Sequence, residues 1–161
     1  MADTAGARAW RAVLLAAGDE AGRRGDRRLG TDHLLVAALR VGGNAVADAI
    51  GTSLDGARAA LDALDREALA AVGIRVDTGE ESAACPPAAG RVPVLTSGAR
   101  AVLVRAFARR ARAEPASPEE IVVALLESEL PDPAAQLIAA LGVDRARACE
   151  RLRHRATRQA M

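Results

Sequence analysis

The chain has 161 residues, half of them apolar, mainly Ala, Leu and Val, with one Trp, one Phe and no Tyr, enough for one domain with a real core of closely packed helices and few aromatic platforms. Its 22 basic residues are all Arg and are balanced by 21 acidic ones to a net charge of +1, a balance that calls for neither nucleic acid nor an anionic membrane. The lack of Lys excludes a G-x-x-x-x-G-K-[ST] phosphate loop in this chain, and Cys85 and Cys149 form no C-x-x-C pair.

In chain order, residues 5–24 carry Ala9, Val13, Ala16, Ala17 and Ala21 on helical spacing, and this helix is expected to end near Gly25. Residues 25–30 read as a turn. Thr31 is a suitable N-cap for a second helix with Leu34, Leu35, Ala38 and Leu39 as its buried stripe, ending before Gly42-Gly43. A short third helix is expected over 44–50 and a fourth beyond Ser53, with Leu54, Ala57, Leu61, Leu64 and Leu69 on one face. Residues 77–93 lose periodicity and collect Pro, Gly and charge, the pattern of a linker.

Helical spacing then returns. Thr96 caps a helix containing Ala99, Val102, Leu103, Ala106 and Phe107, and Ser117-Pro118-Glu119-Glu120 opens the next with Pro in its first turn. Pro131-Asp132-Pro133 breaks that helix, and two more are predicted over 134–141 and from Asp144 to about Arg155. The halves overlay. Arg11-Ala-Val-Leu14 matches Arg100-Ala-Val-Leu103, and Ser53-Leu-Asp55 matches Gly142-Val-Asp144, both at an offset of 89 residues; Asp32 to Ala37 matches Glu119 to Ala124 at 87. An internal duplication is the economical explanation. The expected fold is all-α: two tandem four-helix repeats, about 5–72 and 95–156, packed around a pseudo-twofold axis as one domain.

The stretch Gly30-Thr31-Asp32-His33-Leu34-Leu35-Val36-Ala37-Ala38-Leu39 resembles the G-T-E-H-[IL]-L-x-[AG]-L signature of the Clp N-terminal repeat domain, the substrate- and adaptor-binding head of the ClpA, ClpB and ClpC unfoldases. The resemblance runs from about Ala7 to Leu152; the second repeat is degenerate, with Ala116-Ser117-Pro118-Glu119-Glu120-Ile121 in the signature position. It implies a non-catalytic binding module without its ATPase rings, whose partners are Clp unfoldase or protease components, adaptors or substrates. In ClpC-type relatives the acid of each signature grips the guanidinium of phosphoarginine, and carried over these acids are Asp32 and Glu119. Two departures stand out: Asp32 is one methylene shorter than the usual Glu, and Gly6-Ala7 replaces the Phe-Thr pair that opens the family's first helix. Family heads also offer apolar grooves to peptides and cyclic-peptide antibiotics, to which Trp10 and Phe107 are the matching candidates here.

The residues also have plainer uses. Acids in the first turn of a helix offset its dipole without any ligand. His33 beside the cap reads as structural, since a metal would need further ligands, and Cys149 and His154 share no helix face. Neither G-x-S-x-G nor H-E-x-x-H occurs; no enzyme activity, cofactor or metal is expected. The arginines at 105, 109, 110, 112, 151, 153, 155 and 158 raise the alternative of a nucleic-acid-binding regulator, against which stand the nearby acids and the scarcity of stacking aromatics. With no basic, apolar leader and no apolar run of spanning length, the expectation is a cytoplasmic protein not bound to membrane.

Overall fold

A computed structural model describes residues 3–75, 94–109 and 116–159; the expected linker at 77–93 lies outside them. The described residues form seven helices and two short strands, with 77% helix, in agreement with the all-α expectation. Helix α1 spans Asp3–Arg24 and ends at Gly25, whose positive φ lets the chain reverse. A two-residue strand, β1 (Arg28–Leu29), leads into α2 (Thr31–Ile50), which is followed by α3 (Leu54–Ala71). Strand β2 (Val94–Leu95), α4 (Ser97–Ala108), α5 (Pro118–Leu126), α6 (Pro133–Ala140) and α7 (Arg145–Gln159) complete the order.

Local chemistry accounts for most helix starts. The hydroxyl of Ser53 accepts the Gly56 N–H at 3.0 Å, and that of Thr96 accepts the Ala99 N–H at 3.2 Å. At α5 the box is reciprocal: Ser117 Oγ accepts from Glu120 N at 3.3 Å, and Glu120 Oε2 accepts from Ser117 N at 2.8 Å, with Pro118 at the first helical position. Asp132 caps α6 through the Ala134 N–H at 2.9 Å.

Two local expectations are corrected and one is met. Gly30, not Thr31, is the N-cap of α2; Thr31 is the first helical residue, and its hydroxyl is drawn across the fold by Asp132. The break expected at Gly42-Gly43 is present: the second and third helices are the two limbs of α2, interrupted at Gly43, whose φ of 55° and ψ of −140° only glycine adopts readily. The turn before α2 carries β1, which pairs in parallel with β2, Arg28 opposite Val94 and Leu29 opposite Leu95. Two residues are too short a run for a period-two pattern to reveal.

The core lies around α2 and α5. Every residue from Thr31 to Leu39 is buried, as is every one from Ile121 to Leu126, so the first limb of α2 and most of α5 are enclosed on all sides instead of presenting one stripe. Helix α2 packs against α1, α3, α4, α5, α6 and α7. At 20 residues with a mean hydropathy of 1.2 it has the length and apolarity of a membrane span, but more than half of that window is packed inside the fold, the environment of a core helix. A methyl group on Gly42 would sit 3.4 Å from Pro118 Cβ, so α5 begins beside the kink of α2. Thr31, at the other end, meets Asp132, just beyond the end of α5; the two central helices are therefore antiparallel.

Arginines close what the helices leave open. The C-terminal carbonyls of α5 would be orphaned; Arg105 donates to Ala124 O at 3.3 Å and to Ser128 Oγ at 3.2 Å, and Arg145 donates to Leu126 O at 3.2 Å and also to Ser128 O.

Candidate functional site

Asp32 and Glu119 occupy the same helical position, the second residue of α2 and of α5, where a carboxylate faces the positive end of the helix dipole. Both are only 9% exposed. Because the helices are antiparallel, the acids do not converge. Asp32 lies at the opposite end from Gly42, beside which Glu119 begins its helix, and ten residues at 1.5 Å each separate them by about 15 Å. They lie apart, one at each end of the central pair.

The Asp32 end is crowded. Its carboxylate is folded back over Gly30: a methyl group there would overlap Asp32 Oδ1, so a larger residue at that position would push the carboxylate aside. Asp32 Oδ1 is 3.4 Å from His33 Nδ1. That nitrogen already accepts the Gly30 N–H at 3.0 Å, while Nε2 lies 3.0 Å from Asp26 Oδ2; the network assigns the ring proton to Nε2. His33 is thus a structural link, and it donates nothing to Asp32.

Nearby, Arg24 at the end of α1 donates to Asp62 at 3.1 Å and to Asp65, with Asp26 at 3.4 Å. Burial works against its charge, but Asp65, then Asp26 and Asp32, outweigh that and hold its pKa above the ordinary arginine value. Asp32 therefore shares the field of a resident guanidinium. On the other side Thr31 Oγ1 donates to Asp132 Oδ1 at 2.8 Å and accepts the Ala134 N–H at 3.2 Å, and Gly98 of α4 adjoins both Asp132 and Thr31. The starts of α2, α4 and α6 meet here around one carboxylate, Asp132, which offsets three positive helix ends.

The Glu119 end is different. Among the described residues Glu119 has no hydrogen bond and no ion pair, while its neighbour Glu120 is committed to the Ser117 cap. No fully enclosed side-chain oxygen in the described residues lacks a partner, so the Glu119 oxygens keep some contact with solvent.

Trp10 and Phe107, at inequivalent positions of α1 and α4, meet edge to face, with ring centroids 5.6 Å apart at 82°. Trp10 is half-buried against the core and Phe107 is 36% exposed, leaving an aromatic pair at the surface between α1 and α4.

The expected basic face is largely tied down. Arg105 caps α5, Arg109 pairs with Glu127, and Arg151 and Arg155 reach Asp48 O at 3.1 Å and Asp48 Oδ2 at 3.3 Å; Arg110 and Arg112 lie outside the described residues. Sequence reading missed Glu20, 3% exposed, whose carboxylate takes the fork of Arg58, one arm at 3.1 Å, and Arg23 at 3.1 Å. The hydrogen bond to Glu20 raises the Arg58 pKa against the opposing effect of burial. The only local signal was Arg23, three residues on. Cys149 is half-buried, and burial pushes its thiol pKa up. No group of three or more His, Cys, Asp or Glu among the described residues is arranged to hold a metal. No family model matches the chain, and no curated protein does.

Proposed function

We propose that this chain is a non-catalytic binding module of the Clp chaperone and protease system, built as two four-helix repeats and recognising substrates, adaptors or phosphoarginine-type marks in competition with a full-length unfoldase head. The observation that carries the reading is the placement of Asp32 and Glu119 at the same position of two antiparallel, enclosed helices. Repeat architecture is supported by element order: α1, the two limbs of α2 and α3 run parallel in sequence to α4, α5, α6 and α7. A carboxylate at a helix start accepts a forked pair of charge-assisted hydrogen bonds from a guanidinium.

Calorimetric titration of phosphoarginine into the wild-type chain and an Asp32→Ala, Glu119→Ala double variant tests this. Binding to the wild type that vanishes in the double variant is the expected result. No binding to the wild type, together with no association with Clp unfoldase heads or adaptors, would overturn it.

The half-exposed Trp10–Phe107 pair favours a second reading, a decoy that sequesters cyclic-peptide antibiotics aimed at Clp heads. Deleting the protein would then change sensitivity to such drugs and leave proteolysis intact; unchanged sensitivity would remove this reading.

A further inference from the structure

We propose that the seam between α3 and α6 is a docking groove for a basic, amphipathic helix of a partner protein. The groove uses neither Asp32 nor Glu119 and neither aromatic ring, so it goes beyond the binding reading above.

Helices α3 and α7 are laid down alike. Each follows a glycine of positive φ, Gly51 or Gly142. Each starts at a side chain that accepts the N–H three residues on, Ser53 from Gly56 at 3.0 Å and Asp144 from Arg147 at 3.0 Å. Four and eight residues beyond these caps lie buried Ala57 and Leu61 in α3, and buried Ala148 and Leu152 in α7. Matched in this way, at a register of 91 residues where the sequences alone overlay at 89, the two seams differ in what crosses them. Where α7 lies against α2, Arg151 donates to Asp48 O at 3.1 Å and Arg155 to Asp48 Oδ2 at 3.3 Å. Where α3 lies against α6, the corresponding positions hold Ala60, Leu64 and Ala139, and no side chain there can make such a bridge. What remains is an open groove of about 510 Å³ with Ala60, Ala63, Leu64 and Glu67 on one side and Leu130 and Ala139 on the other, room for several side chains of a partner.

The chemistry of the occupant follows from the floor and the rim. The floor is methyl groups and leucine, with Leu130 65% exposed, and small side chains on both walls let the apolar face of a helix settle between them. The rim is acidic. Glu67 lines the groove, Glu129 precedes Leu130, and both are exposed with no side-chain hydrogen bond or ion pair among the described residues. The neighbouring acids of α3 are taken: Asp62 and Asp65 by Arg24, and Asp55 lies 3.8 Å from Arg58. No basic side chain lines the groove. Leucine-like residues in the groove with Arg or Lys beside them would therefore meet complementary charge, whereas a nucleic acid or an anionic membrane would meet repulsion. The seam of α7 shows the same chemistry within the chain, basic side chains whose aliphatic stems lie over a helix seam and whose heads reach an acid.

The probe is a synthetic amphipathic helix with leucines along one face and arginines beside them, titrated into the full chain by fluorescence anisotropy. Amide NMR shifts locate it, and circular dichroism confirms the folding of each variant. Saturable binding with shifts on α3 and α6 is expected, at least about tenfold weaker when the peptide's arginines become glutamates or when Glu67→Arg reverses the rim. Leu64→Arg together with Ala139→Asp installs the bridge of the other seam and should abolish binding. Excess phosphoarginine should leave the peptide bound, which separates this groove from the site of the earlier reading. No saturable binding, equal binding of the two peptides, shifts away from α3 and α6, or displacement by phosphoarginine would overturn the groove as a docking site. Concentration-dependent self-association of the wild type that Glu67→Arg abolishes would overturn it as well, by assigning the groove to a second copy of the chain.

Discussion

At the start of α2, Thr31 reaches Asp132 and Ala134, 101 and 103 positions further along the chain. At the start of α5, Ser117 and Glu120 complete their exchange within four residues. The acid that follows differs accordingly: Asp32 sits among Gly30, His33 and Arg24, and Glu119 has no hydrogen bond or ion pair among the described residues. One helix end is secured by its own sequence and the other through tertiary contacts, and the acids beside them sit in correspondingly different surroundings.

The largest test of the comparison concerns what the two helices share. Leu34 and Ile121 are matching, fully buried core residues, and replacing either by Ala should cost about 3 kcal/mol in urea unfolding; a loss below about 1 kcal/mol at one of them would mean that the two helices do not bear the core equally. Next in size, Glu20→Gln strips the charge from the Arg58 fork and should cost about 2 kcal/mol. A neutral outcome would mean that the fork contributes little to holding α3 against α1.

The caps come third. Thr31→Val should cost about 1.5 kcal/mol, because Asp132 and the Ala134 N–H lose a partner at a buried junction of three helices. Ser117→Ala should cost about 1 kcal/mol, the ordinary loss of a local cap. If the difference is as drawn, Asp132→Ala will be less than additive with Thr31→Val and additive with Ser117→Ala in a double-mutant cycle.

The smallest effect is the most specific. Gly30→Ala should destabilise by about 0.7 kcal/mol, since the new methyl group forces Asp32 off its rotamer, and the loss should disappear in an Asp32→Ala background. A loss that persists there would show that Gly30 is needed for something other than room for the carboxylate.

Much of the fold was legible because its determinants are local. Thr96 and Ser117 cap the helices expected to start at them, and Ser53 caps the one expected beyond it, since a hydroxyl meets a backbone N–H three residues on wherever the helix stands. Thr31 misled for the same reason: it is a good cap by type, but a carboxylate brought to it from the far half of the chain competes for its hydroxyl, and the flexible Gly30 takes the boundary. The stripe read in α2 was too narrow because periodicity reports which residues prefer burial, and here even Thr31, Asp32 and His33 are enclosed by neighbours on every side. Of the candidate acids, residue type and helical position were readable; the folding back of Asp32 and the isolation of Glu119 were not.

By itself the sequence determined where helices begin and end, which residues are apolar enough for the core, and that its halves run in parallel patterns, because capping, periodicity and turn chemistry act over a few residues. The antiparallel seating of α5 on α2, the parallel contact of β1 with β2, the meeting of Trp10 with Phe107 and the folding of Asp32 back over Gly30 were decided only by the tertiary structure. Each depends on side chains from distant segments arriving within a few ångströms of one another, and hydrogen bonds and charge pairs at that range carry no trace in the spacing of residues along the chain.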